Sequence, residues 1–216
     1  MKKLLCSAFL APLLTFLLPS ASAADGTALA QEVAKANGSE NWGNVHTIDF
    51  AFVVEKEGKQ VAKAEHHWDV AAGTDEVKWK GKEVKIDLAN PGTSEDEKAG
   101  YARWVNDSYW LLAPLKLQDK GVTTEAEGTK EMNGRKCDVL KLSFAQVGLT
   151  PSDQYRLYVD PQSKLVTYWD YLPKGEKGMS GTWEDYQKSG GITLATDHKM
   201  DNGIRIRIEG LKVTAN

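Results

Sequence analysis

The chain has 216 residues, with 27 Lys and Arg against 30 Asp and Glu, a net charge of −3, and enough apolar residues (41%) to fill a core. Its slightly acidic balance lacks the basic patch that nucleic-acid binding demands, and its length suits one domain. Only two cysteines are present, Cys6 and Cys137, which excludes a disulfide framework.

The first 23 residues read as an export signal. Lys2 and Lys3 make a basic start, residues 4–18 are almost wholly apolar, and Ala21-Ser22-Ala23 fits a small-x-small cleavage site. The apolar run falls short of the roughly 20 residues that span a bilayer, and no later segment approaches that length. Cys6 precedes most of the run, the wrong side for a lipid anchor, and would leave with the signal. The expected mature chain is therefore a single soluble domain over 24–216, exported to the periplasm, with net charge −5 and Cys137 unpaired.

A helix is expected over 27–36. Thr27 or Asp25 can cap it, Asn37-Gly38 can stop it, and Leu29, Val33 and Ala36 form its apolar stripe. Short alternating strands follow. Segment 48–55 meets 61–70 across Lys56-Glu57-Gly58-Lys59, and 75–79 meets 83–88 across Lys80-Gly81-Lys82. Such short connections favour antiparallel neighbours.

The pattern breaks at Asn90-Pro91-Gly92. Ser94-Glu95-Asp96-Glu97 is a capping box, and the helix it opens carries Tyr101, Trp104, Val105, Ser108, Tyr109 and Leu112 at helical spacing. Asn106-Asp107-Ser108 is expected to divide it and Pro114 to end it. Strands resume after Gly121, with a tight turn at Asn133-Gly134. They are expected at 137–144, 155–159, 165–172, 182–186, 192–200, 204–208 and 211–213, for about ten in all.

Alternation puts every second residue on one face. Ile48, Phe50, Phe52 and Val54 line up, as do Ile204, Ile206 and Ile208. The same parity makes Trp68, Val70, Val77, Trp79, Ile86, Leu140, Leu142, Phe144, Trp169 and Trp183 candidates for one covered, greasy face. That face is covered either by the protein itself or by a ligand.

This order of elements resembles the LolA-like and LolB-like periplasmic lipoprotein carriers. Ile48-Asp49-Phe50-Ala51-Phe52 is similar to the family's first strand and Glu65-His66-His67-Trp68-Asp69-Val70 to its second. Asp160-Pro161-Gln162-Ser163-Lys164-Leu165-Val166 is similar to a later turn, and the segment from Trp104 to Leu112 would fall in the lid. The resemblance implies a mainly β fold with helices (α+β): an incomplete antiparallel barrel, strongly curved, with a helical lid on its concave face. It also implies an apolar cavity for acyl chains. One departure stands out. The family's carrier has an Arg-Pro pair just after the second strand, whose Arg helps hold the lid shut, whereas this chain has Ala71-Ala72-Gly73 there.

Three functions are weighed. The first is non-covalent binding of a lipid or lipoprotein acyl chain, with no cofactor. Its ligand-binding candidates are Phe50, Phe52, Trp68, Val70, Trp79, Ile86, Trp104, Tyr109, Trp110, Leu112, Leu142, Phe144, Trp169 and Trp183. The residues alone lean towards an interior filled by these same rings, and the family layout turns that expectation towards a cavity. Trp104, Tyr109 and Trp110 are either a movable lid or a helix permanently packed on the sheet.

The second function is catalysis, for which the residues offer little. His66 and His67 face opposite sides of a strand and cannot share a metal. Glu65 and Asp69 share a face with His67 but stand about 13 Å apart at ~3.3 Å per residue. His66, on the Trp68 face, is expected to be a hydrogen-bonded core or cavity-rim residue. Glu184-Asp185 and Asp197-His198 are neighbours that point apart, and Gly178-Met179-Ser180-Gly181 is one residue short of a nucleophile elbow. No catalytic or metal-binding residue is assigned, and a hydrolase is the weakest reading. The third function is an envelope sensor or adaptor that binds a protein partner.

Overall fold

The computed structural model describes residues 24–145 and 148–216, so the expected signal peptide lies outside the described residues. In chain order the elements are β1 (Ala24–Asp25), α1 (Thr27–Ala36), β2 (Val45–Lys56), β3 (Lys59–Asp69), β4 (Thr74–Trp79), β5 (Lys82–Asp87) and α2 (Glu95–Leu112). They continue with β6 (Val122–Met132), β7 (Arg135–Phe144), β8 (Gln154–Val159), β9 (Val166–Leu172), β10 (Met179–Thr182), β11 (Gln187–Ser189), β12 (Ile192–Leu194), β13 (Asp197–Lys199) and β14 (Ile204–Ala215).

The strands form two six-stranded antiparallel sheets, ordered β1-β6-β7-β8-β9-β10 and β13-β14-β2-β3-β4-β5, plus the small pair β11–β12. The sheets meet at a seam where Gly181 bridges Met200 and Glu184 bridges Asp197. Asp201 N donates to Ser180 O at 2.9 Å across the same seam. A side chain at Gly181 would displace the end of Met200 and lie 3.1 Å from Lys199 O, so glycine suits this close approach. The two sheets are not closed into a barrel, leaving an open, curved α+β fold.

Turn chemistry sets the hairpins. Glu57-Gly58, Lys80-Gly81 and Asn133-Gly134 each place two successive residues at positive φ, between 48° and 76°. That twist matches the strands they join. The covered face is as alternation requires: Ile48, Phe50 and Phe52 of β2, Ile206 and Ile208 of β14, Leu140 and Leu142 of β7, and Trp169 of β9 share one core with Trp110 and Leu111 of α2. A separate cluster of Ala64, Val77, Trp79 and Ile86 lies beneath Tyr101 at the start of α2.

Several expectations need correction. Helix α2 is unbroken through Asn106-Asp107-Ser108. Asn and Asp weaken helices when their side chains compete for nearby backbone. Here Asn106 Nδ2 donates to Asp107 Oδ1 at 2.8 Å, and the other Asp107 oxygen is held by His66, so neither competes. Gly26, not Thr27 or Asp25, occupies the N-cap of α1, although Asp25 Oδ1 accepts from Thr27 N at 2.9 Å. Its buried residues are Ala30, Val33 and Ala34; of the expected stripe, Val33 is buried and Leu29 packs partly buried against the core.

The strand expected at 182–186 stops at Thr182, because Asp185 turns to φ 51°. The one expected at 192–200 splits around Ala195-Thr196, where Thr196 N bonds Glu184 O and Thr196 O accepts from Ile208 N. Conversely, 204–208 and 211–213 are one strand, interrupted by a bulge at Gly210. The capping box is as expected: Glu97 N donates to Ser94 Oγ at 3.2 Å, and Ser94 N donates to Glu97 Oε2 at 2.9 Å.

Candidate functional site

His66 lies at the junction of the sheet and α2. Its position on β3 turns it into the interior on the Trp68 side, where it is 4% exposed. Its Nδ1 lies 2.8 Å from Asp75 Oδ2 on β4, and its Nε2 lies 3.1 Å from Asp107 Oδ2 on α2. Burial pushes the imidazole pKa down, but the bonds to the two carboxylates outweigh burial and raise it to about 9. At neutral pH it is therefore an imidazolium donating from both nitrogens. Phe50 stacks on it with centroids 4.7 Å apart and planes 11° from parallel, a cation–π contact. This buried Asp–His–Asp row ties α2 to the sheet.

Alongside the tie, the C-terminal half of α2 overhangs a cleft of about 270 Å³. Tyr109 and Trp110 descend from α2, Phe144 closes the end of β7, and Tyr155, Trp169 and Tyr171 rise from β8 and β9. Register explains the cluster: Tyr155 pairs with Tyr171 and Leu157 with Trp169, so alternate residues of both strands face α2. Tyr155 lies between Trp169, stacked at 5.1 Å, and Tyr171 at 5.2 Å. Leu149, 54% exposed, and Met179, 38% exposed, stand at the mouth. Burial pushes the hydroxyls of Tyr109 and Tyr155 above the usual tyrosine range, so both stay neutral.

Two other cavities differ in character. One of about 170 Å³ lies between Trp42, Trp68, Leu112 and Leu115. The other, about 570 Å³, is a polar groove lined by Arg135, Asp160, Glu184 and Asp185.

The residues singled out from sequence separate into three groups. Tyr109, Trp110, Phe144 and Trp169 line the aromatic cleft, and Trp68 and Leu112 line the smaller one. Trp183 edges the polar groove while packing on His198 at 4.6 Å. Phe50, Phe52, Leu142, Val70 and Trp104 pack in or against the main core, and Trp79 and Ile86 fill the separate cluster. Sequence reasoning passed over Tyr155, Tyr171, Leu149 and Met179. Tyr155 and Tyr171 carried a usable signal: each alternates with a large apolar neighbour two residues away, Leu157 and Trp169.

The remaining polar candidates have structural partners. His67 is exposed and its Nδ1 lies 2.6 Å from Asp49 Oδ1. Asp197 receives a two-pronged bond from Arg205 at 2.7 and 2.8 Å, while His198 points the other way into the core. Burial holds the His198 pKa down at about 4, so that ring is neutral. Ser180 Oγ donates to Asp170 Oδ1 at 2.8 Å. Among the described residues no group of three His, Cys, Asp or Glu could hold a metal ion, and no helix is long and apolar enough to cross a membrane.

No protein-family model matches the sequence, and no curated protein does either. Solved structures do match. A LolA superfamily protein from Nitrosomonas europaea aligns with TM-score 0.52 at 7% identity, over 90% of this chain and 96% of that one. A putative outer membrane lipoprotein-sorting protein domain from Vibrio parahaemolyticus aligns at 0.51 and 10%, over 87% and 91%. A DUF1329 family protein from Desulfovibrio piger aligns at 0.51 and 12%, over 88% and 93%. At such identities the shared property is architecture: two curved antiparallel sheets roofed by a mid-chain helix make this a LolA-like fold.

Proposed function

We propose that the mature protein is a single exported domain, 24–216, that binds a hydrophobic, acyl-chain-bearing molecule non-covalently in the periplasm and hands it on without chemistry. The observation that carries this reading is the ring-lined cleft under the C-terminal half of α2, with Leu149 and Met179 exposed at its edge. At about 270 Å³ it exceeds the ~150 Å³ cavity that admits a benzene and lies just below the ~300–1,000 Å³ of typical ligand sites. Each methylene buried there contributes about 0.8 kcal/mol, so a six-carbon stretch gains about 5 kcal/mol gross. The fold's likeness to a putative lipoprotein-sorting domain supports the same class of cargo.

Longer chains need more room, and α2 is the element that can give it. In this reading the Asp75–His66–Asp107 row does the work that the family's Arg after the second strand would do, holding the lid helix down from β3. The test is native mass spectrometry and lipid extraction of protein purified from its own envelope. Retained acyl species that disappear in Leu149→Asp are expected. A clean apo protein that binds no acyl probe would overturn the reading, and a stoichiometric protein partner without lipid would replace it with the adaptor role.

A further inference from the structure

The aromatic cleft has walls of a definite electrical character. Six rings meet there, with centroids 4.4 Å apart for Trp110 and Trp169, 5.5 Å for Tyr109 and Tyr155, and 5.6 Å for Phe144 and Tyr155. Among the described residues no Lys or Arg lines it, and the sequence from Phe144 to Gln154 contains neither. Lys174 and Lys177, in the loop before Met179, are exposed and are not among the lining residues.

An acidic group is hydrogen-bonded to the cleft wall. Buried Asp153 accepts from Tyr171 Oη at 2.5 Å and from the backbone N of Lys174 at 3.3 Å, and those bonds hold its carboxyl below the usual range against the effect of burial. It is an anion at neutral pH. Burial is the main influence on the hydroxyls of Tyr109, Tyr155 and Tyr171. Carboxylates add to the effect of burial: Asp153 on Tyr155, Asp153 with Glu176 on Tyr171, and on Tyr109 Asp119, which is itself ion-paired with Lys116 at 2.6 Å.

We infer that this cleft selects an amphiphile whose polar end is a cationic ammonium group over one with the same tail and an anionic end. The inference rests on the carrier reading above and adds the head-group chemistry. The physical reason is twofold. Aromatic faces present negative quadrupole to a cation, and the attraction grows when the site is desolvated. An anion entering the same place would exchange its hydration for rings backed by carboxylates, with no cation to pair with.

Binding of three single-chain probes to the full mature protein tests this by calorimetry and tryptophan fluorescence. The probes are dodecyltrimethylammonium, dodecyl sulfate and the uncharged dodecyldimethylamine oxide, each below its micelle concentration. The ammonium probe should bind about tenfold more tightly than the sulfate, with the amine oxide between them. In Asp153→Asn the gap between ammonium and amine oxide should narrow.

Equal or tighter binding of the sulfate overturns the inference, as does an amine oxide that matches the ammonium probe, while both results leave the carrier reading intact. Failure of all three probes to bind overturns the carrier reading, and the inference with it. Because the comparison is made on the unaltered protein, it stands even if Asp153→Asn does not fold.

Discussion

Asp75 of β4 and Asp107 of α2 hold opposite nitrogens of a single buried imidazole, that of His66, at 2.8 and 3.1 Å. Three elements are joined by one ring, and the ring lies where neither the sheet nor the helix alone could retain a charge. A buried charge deprived of its partner is costly, whereas an intact row is close to neutral against an apolar replacement.

Truncating one member of the row should therefore cost more than an ordinary polar deletion. Asp107→Ala leaves Asp75 to pair the imidazolium but strips the buried Nε2–H of its acceptor, so it is expected to destabilise the protein by about 1–3 kcal/mol and to increase hydrogen exchange along α2 before the strands. Urea unfolding with exchange mass spectrometry measures both. Loss of stability spread evenly over sheet and helix would mean that the row does not act as a local tie.

The row also sets an alkaline limit. His66 binds its proton more tightly folded than unfolded, so its contribution is complete below about pH 6.5 and is lost as pH rises to about 9. The loss is on the order of 3 kcal/mol. His198 works in the opposite sense: its folded pKa of about 4 means its contribution is present above 6.5 and lost as pH falls towards 4. Thermal midpoints should peak near pH 6.5 and fall on both sides. His66→Gln should flatten the alkaline limb, and an NMR titration of His66 in the unaltered protein checks the same point directly.

Binding and folding should separate along the cleft. Leu149 is exposed at the mouth, so Leu149→Asp should leave the melting point within a few degrees and weaken acyl-probe binding by tenfold or more. Trp169 is 3% exposed in the core, and Trp169→Ala should cost about 3–5 kcal/mol in stability. Fluorescence titration beside thermal melts distinguishes the two. If Leu149→Asp binds as the parent does, the mouth is elsewhere.

The front half of α2 sits very close to the sheet at Gly100. A Cβ there would lie 3.0 Å from Ile86 Cδ1 and 3.2 Å from Val77 Cγ1. Gly100→Val should therefore overpack that contact and destabilise by about 1–3 kcal/mol. Ser94→Ala should cost about 1 kcal/mol by removing the helix cap. Additive losses in the double variant, measured by urea unfolding, are expected because the two act on different turns.

Local chemistry was enough to determine much of this molecule from its sequence. Period-2 alternation placed Phe50, Phe52, Leu142 and Trp169 on the covered face. Gly-containing turns at Gly58, Gly81 and Gly134 marked three strand connections, Ser94 and Glu97 marked the start of α2, and Pro114 marked its end. These signals need only neighbours within a few residues.

The site needed the tertiary structure. Asp107 looked like a helix breaker because its competition with the backbone is local, and only the arrival of His66 from β3 removes that competition. Tyr155 and Tyr171 meet Tyr109 through strand pairing and helix docking at once. How much of the trough the protein fills itself, and where it leaves room beside Leu149, depends on packing between segments far apart in the chain, which no short-range pattern encodes.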